Sequence, residues 1–149
     1  MTKLKEGIKA PSFKGINEKG ETISLADYKG KKLVLYFYPQ DSTPTCTIEA
    51  CNLRDNYKLL QKEGYEILGV SPDSSKKHTN FIAKQRLPFS LLADEDLSVI
   101  KAYGVWAEKT TFGKTYMGVV RTTFIINEKG IIEKIIDKVQ SKIHTEQIL

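Results

Sequence analysis

The run Leu33-Val-Leu-Tyr-Phe-Tyr38 limits what this chain can become. Every side chain in it is apolar or aromatic, and none alternates with a polar neighbour. A strand with one wet face alternates; an unbroken apolar run bounded by turn residues is a strand covered on both faces, as in parallel pairing. Its length and its β-branched and aromatic content favour strand over helix. Two covered faces require a layer above the sheet and a layer below it.

The flanking sequence supplies those layers. Ser12 to Leu25 reads as a β-hairpin, with Asn17-Glu-Lys-Gly20 at its turn. From about Thr45 to Glu63 the apolar residues Ile48, Ala50, Leu53, Tyr57, Leu59 and Leu60 recur at helical spacing, and Gly64 ends the pattern. Tyr65 to Val70 is the next strand and Ser75 to about Gln85 the next helix. Leu87 to Ala93 is a short strand. Asp94-Glu-Asp caps a helix through Tyr103, closed by Gly104. A loop then leads to a strand at Gly118–Asn127. Asn127-Glu-Lys-Gly130 turns it back into Ile131–Val139, and His144–Leu149 is a short terminal helix. Strands alternating with helices imply right-handed crossovers and a parallel core. The late hairpin adds antiparallel strands, so the expected class is α/β with a mixed central sheet flanked by helices.

At 149 residues the chain is expected to form one domain, residues 1–149, with a core that needs no disulfide or metal. No apolar run approaches the roughly 20 residues that span a bilayer. The basic start, Met1-Thr-Lys-Leu-Lys, is followed by no hydrophobic segment, so neither a secretory leader nor a membrane partner is expected. The expected compartment is the cytoplasm, where resting cysteines are reduced and a disulfide is transient. The net charge of +5 raises nucleic acid as a partner. Of the basic residues, however, only Arg54, Arg86 and Arg121 are arginines, and the lysines alternate with Glu and Asp along the chain. That is a solvated lysine-rich surface rather than a clustered footprint.

The chemistry lies just after the opening run. The strand breaks at Pro39, turns through polar residues to Pro44, and restarts as a helix carrying both cysteines, Cys46 and Cys51. Cys46 falls in the first helical turn, where free N–H groups and the helix dipole favour an anion. Arg121 is a candidate cation for it, because it interrupts the apolar run Val119-Val-Arg-Thr-Thr-Phe-Ile-Ile. Cys51 follows five residues on. In a regular helix, residues at that spacing point about 140° apart with Cα atoms roughly 8 to 9 Å apart. A disulfide needs about 7 Å or less. If the two cysteines bond, the start of the helix must unwind.

Four readings fit these residues. One or both thiols are core residues. They bind a metal, for which two cysteines and the distant His78 and His144 make a poor set. They form a dithiol-disulfide oxidoreductase, which normally has a closer Cys-x-x-Cys spacing. Or one is an oxidisable nucleophile that becomes a sulfenic acid and condenses with the other. A protein using the same disulfide as a non-enzymatic redox switch stands beside these.

The stretch Tyr36-Phe-Tyr-Pro-Gln-Asp-Ser-Thr-Pro-Thr-Cys-Thr-Ile-Glu-Ala-Cys resembles the active-site segment of peroxiredoxins, in particular the Q type, or bacterioferritin comigratory proteins. The family motif Pro-x-x-x-Thr-x-x-Cys falls on Pro39, Thr43 and Cys46. Its second cysteine falls on Cys51 and its intervening acid on Glu49. Gly118-Val-Val-Arg-Thr-Thr-Phe-Ile-Ile-Asn resembles the segment carrying the family's arginine, at Arg121. The similarity runs from Gly7 to the end, including Tyr103-Gly-Val-Trp-Ala-Glu-Lys. The resemblance implies a thioredoxin fold and a thiol peroxidase without a prosthetic group. In it Cys46 is the peroxidatic nucleophile, and Arg121 holds the thiolate and polarises the peroxide. Thr43 bonds sulfur and peroxide, Pro39 shields the site, and Cys51 resolves the sulfenate. Glu49 either orients Arg121 or is an exposed first-turn acid. A peroxide is the implied substrate and thioredoxin or a similar dithiol the implied reductant; the expected assembly is a monomer or weak homodimer. Thr45 departs from the glycine that many relatives carry before the peroxidatic cysteine.

Elsewhere, His78 and His144 are expected in solvent. Trp106 and Phe112 are expected either in packing or at a substrate or reductant surface. Tyr36, Phe37 and Tyr38 are expected in the core, with one of them lining the pocket.

Overall fold

The structure, a computed structural model, describes residues 2–149. The unbroken apolar run forms strand β3, Lys32–Phe37, and it lies inside a seven-stranded sheet. The other strands of that sheet are β1 (Lys14–Asn17), β2 (Thr22–Ser24), β4 (Tyr65–Ser71), β5 (Ser90–Ala93), β8 (Thr122–Ile126) and β9 (Ile132–Ile136). Two further strands, β6 (Trp106–Thr111) and β7 (Lys114–Val119), pair only with each other among the described residues. The order across the large sheet is β2-β1-β5-β4-β3-β8-β9. β3 pairs parallel with β4 and antiparallel with β8, and β4 pairs parallel with β5. The sheet is therefore mixed, with its parallel part in the middle, and the fold is thioredoxin-like.

Both faces of β3 are covered, as its lack of alternation requires. Leu33, Leu35 and Phe37 pack with Val99, Ile100, Tyr103 and Phe124. Val34, Tyr36 and Tyr38 pack on the other side with Cys46, Ala50, Leu53, Phe81 and Ile148. Helices α1 (Pro44–Asp55), α2 (Tyr57–Lys62), α3 (Ser75–Gln85) and α5 (His144–Ile148) thus cover one face, and α4 (Ser98–Ala102) covers the other. Among the described residues no helix is long and apolar enough to cross a membrane.

Three elements differ from the sequence reading. The helix expected over 45–63 is two helices, broken at Asn56, whose backbone leaves the helical region. The Asn56 side chain donates to the Asn52 carbonyl at 2.8 Å, a local bond that competes with the helical ladder. The loop expected after Gly104 is the β6–β7 hairpin, with Phe112 fully exposed at its tip and Trp106 half-buried against the core. The single strand expected over 118–127 is two, because the chain changes partners there. Up to Val119 it pairs with β6, and from Thr122 with β3. Val120 and Arg121 lie between the two ladders. That interruption frees Arg121 from strand geometry.

Candidate active site

β3 points its C-terminal end at a short loop, Pro39–Thr43, and the loop starts α1. Thr43 holds the N-cap position in an extended conformation and Pro44 opens the helix, where its missing N–H costs nothing. The first helical bond runs from Thr47 N to Thr43 O at 2.9 Å. The N–H groups of Thr45 and Cys46 precede it, and such groups favour an anion beside them. Cys46 is 2% exposed.

The cation comes from the break between β7 and β8. Arg121 donates from Nη2 to Cys46 Sγ at 3.2 Å and from Nη1 to Glu49 Oε1 at 2.6 Å. Cys46 and Glu49 are three residues apart on one helix face, so a single planar fork spans both. Burial works against the guanidinium charge, but Glu49 and Cys46 hold its pKa above the ordinary value. Glu49 itself is fully buried. Burial pushes its carboxyl up to about 7, although Arg121 pulls the other way. Of the two positions open to Glu49, the exposed acid is excluded and the arginine partner is realised.

Beneath Glu49 sits His144, on α5. Its Nε2 is 3.5 Å from Glu49 Oε2 and 2.8 Å from Thr123 Oγ1. The expectation that His144 lies in solvent is wrong: it is fully buried. Ile148, one turn on, is buried too, so a packed (i, i+4) face carries the histidine inward.

The expectation for His78 is wrong in the same way. It is fully buried on α3, with Nδ1 2.7 Å from Asp41 Oδ2 and Nε2 3.0 Å from the Leu92 carbonyl. Asp41 also accepts the Tyr38 hydroxyl at 2.6 Å, and its N–H donates to Asp73 Oδ2 at 2.7 Å. These bonds pin the loop that leads into Cys46. Asp41, Asp73 and His78 could bring three ligand atoms within 4.8 Å of one another. All three are already engaged by protein groups, and Asp73 also accepts from Ser71 Oγ. Their arrangement is that of a fastened loop. Asp41→Ala is expected to lower unfolding stability by about 3 kcal/mol, because it strands the buried His78 and Tyr38 polar groups. Denaturant unfolding monitored through Trp106 measures that loss.

The sequence profile of the AhpC/TSA family matches residues 7–135. Peroxiredoxin Bcp of Bacillus subtilis is 47% identical over 143 residues, covering 96% of this chain and 91% of that protein. The chain belongs to the AhpC/TSA family, as a peroxiredoxin of the Q/Bcp type. A cysteine-to-serine mutant of Xylella fastidiosa PrxQ superposes with a TM-score of 0.93 at 30% identity, covering 99% of this chain and 94% of that one. The bacterioferritin comigratory protein of Xanthomonas campestris, whose structures concern alkyl peroxide reduction, gives a TM-score of 0.85 at 36% identity over 91% of this chain and 87% of that one.

In this peroxiredoxin the expected site residues fall into two groups. Pro39, Thr43, Cys46, Glu49 and Arg121 gather around the end of β3 and the start of α1. The Thr43 hydroxyl donates to the Gln40 carbonyl at 3.1 Å, rather than to the sulfur. Cys51 stands apart, half-buried, with Sγ 3.5 Å from Gln85 Oε1 of α3. Both thiols are free and both lie on the unbroken part of α1.

Proposed function

We propose that this peroxiredoxin reduces hydrogen peroxide and organic hydroperoxides through a sulfenic acid on Cys46. The observation that carries this reading is the Arg121 fork, which joins the sulfur of Cys46 to the carboxylate of Glu49. The Cys46 thiolate attacks one peroxide oxygen and the O–O bond breaks. Cys46 becomes a sulfenic acid, and the other oxygen leaves as an alkoxide or hydroxide that takes up a proton. Arg121 and the free N–H groups at the helix start stabilise negative charge as it moves from sulfur to the leaving oxygen. Thr43 turns its hydroxyl from Gln40 to the peroxide when substrate enters, and Pro39 keeps water from the sulfur.

The sulfenic acid then condenses with the Cys51 thiol. A sulfur–sulfur bond forms and water leaves. Thioredoxin or a similar dithiol returns two electrons and two protons by thiol–disulfide exchange. The protein works in the cytoplasm as one domain, a monomer or weak homodimer. The experiment is peroxide consumption coupled to thioredoxin and its reductase, with mass spectrometry after one equivalent of peroxide. Turnover together with a Cys46–Cys51 link inside one chain supports the assignment. Disulfide reductase activity that ignores peroxide would make the protein a dithiol oxidoreductase instead.

Arg121→Lys tests the fork itself. Lysine keeps the charge but cannot donate to sulfur and carboxylate in one plane. We expect kcat/KM for peroxide to fall by about 100-fold, the scale of losing one aimed donor in a water-poor site. A fall of less than threefold in stopped-flow oxidation would mean that charge alone suffices.

A further inference from the structure

The two oxygens of the Glu49 carboxylate have different surroundings. Oε1 takes the Arg121 hydrogen bond. Oε2 is buried with no hydrogen-bond partner among the described residues, and it faces His144 Nε2 at 3.5 Å. The state of that nitrogen follows from the other side of the ring. His144 Nδ1 lies 3.0 Å from Gln147 Oε1. That oxygen also accepts the Gln140 N–H, and Gln147 Nε2 donates to the Lys138 carbonyl. The amide orientation is thereby fixed, Oε1 is an acceptor, and Nδ1 carries a hydrogen. Nε2 is left with the Thr123 hydroxyl, which can donate or accept, so the ring can take or give a second proton without breaking its contacts.

We propose that the Glu49–His144 pair carries one proton, on Oε2 or on Nε2, and that this proton balances the charge beneath the Cys46 thiolate. His144 is then a positioning residue for peroxide reduction, acting through Glu49 and Arg121. The proposal rests on the reading of Cys46 as the nucleophile. With the proton present, the Arg121 cation, the Glu49–His144 pair and the thiolate sum to zero. Without it the same buried cluster holds one uncompensated negative charge, which a low-dielectric site resists. Among the described residues the titratable groups facing Glu49 are Arg121 from the β7–β8 break, Cys46 from the same helix, His144 from α5 and Tyr36 from β3. The Tyr36 hydroxyl is buried, without a hydrogen-bond partner among the described residues, and driven well above its usual pKa by burial and then by Glu49, so it stays neutral. Burial lowers the His144 pKa and raises that of Glu49, which favours the proton on the carboxyl side.

Stopped-flow oxidation of Cys46 by hydrogen peroxide across pH tests this. His144→Gln puts a neutral N–H at the Nε2 place and stabilises the bare carboxylate. It should slow oxidation at neutral pH about tenfold, the effect of displacing one ionisation by about one unit. Glu49→Gln puts a fixed N–H where that proton sits, and should remove the pH step while keeping the Arg121 contact. In that background His144→Gln should change the rate less than twofold. An unchanged rate in His144→Gln, or the same slowing in both backgrounds, overturns the proposal. If His144→Gln does not fold, nitrogen NMR of the His144 ring answers instead. Its titration midpoint should move to lower pH in Cys46→Ser, where no thiolate holds the proton, since the coupling is reciprocal. An unmoved midpoint also overturns it. Failure of the peroxidase reading looks different: the unmodified protein would consume no peroxide.

Discussion

Cys46→Ser is expected to abolish peroxide turnover, with thioredoxin-coupled consumption reduced by about 10⁴-fold or more, the scale of deleting a covalent nucleophile. The surroundings of Cys46 are arranged to favour negative charge on the sulfur. Arg121 donates to the sulfur at 3.2 Å and the first-turn N–H groups of α1 lie ahead of any helical acceptor. A thiolate meets that demand; a serine hydroxyl stays protonated, and among the described residues no histidine or carboxylate is hydrogen-bonded to position 46 as its base. Glu49 lies on the far branch of the arginine fork, bonded to Nη1 rather than to the sulfur, and His144 lies behind it, facing Glu49 Oε2. Serine is slightly smaller and can still accept from Arg121, so the variant should fold with a melting temperature within a few degrees of the parent. Peroxide assays beside a thermal melt separate lost chemistry from lost structure. Retained turnover in a folded Cys46→Ser protein would remove Cys46 from the mechanism.

How far these parts could be read from sequence depends on how local their causes are. The double burial of β3 was legible because six consecutive apolar side chains leave no wet face. Cys46 and Arg121 were legible because each breaks the pattern around it: a thiol at a helix start, a charge inside an apolar strand. His78 and His144 were misread because composition near them is polar, with Lys76 and Lys77 beside one and Lys142 beside the other. What buries them is tertiary. Asp41 and Asp73 stand just past the C-terminal ends of the parallel pair β3 and β4, where polar loops converge, and His78 meets them from α3. His144 reaches Glu49 across a sequence gap of 95 residues, which no local window spans. The break at Arg121 was hidden for a related reason: the apolar pattern continues through residues 119–126 although the chain changes sheets there.

Cys51→Ser should leave the first chemical step intact and stop the cycle after it: one equivalent of peroxide consumed per chain, then no thioredoxin-driven recycling. Among the described residues no hydrogen bond joins Cys46, Glu49 or Arg121 to Cys51, whose sulfur donates to Gln85 of α3, a bond that serine can keep. The proposed link between the two cysteines is hindered by α1 itself. While both cysteines stay on the regular helix their Cα atoms remain about 8 to 9 Å apart, beyond the reach of a disulfide. The helix is also fastened between and beyond them. Ala50 and Leu53 are fully buried. The Asn52 side chain donates to the Lys142 carbonyl at 2.8 Å and accepts from Thr145 N and Oγ1 at 2.9 and 2.7 Å. Disulfide formation must therefore break α1 bonds and pull on the C-terminal segment. In hydrogen exchange, amides 46–52 should lose protection on oxidation by peroxide, with a smaller loss at 144–148, while β3 and β4 stay protected. The reduced protein should be fully helical there. Thr45→Gly, which weakens the first turn by several tenths of a kcal/mol, should speed disulfide formation after a single peroxide pulse without changing the rate of Cys46 oxidation. Unchanged protection across 46–52 in a protein shown by mass to carry the Cys46–Cys51 bond would mean that the helix accommodates the link by bending, and that opening of α1 does not limit the cycle.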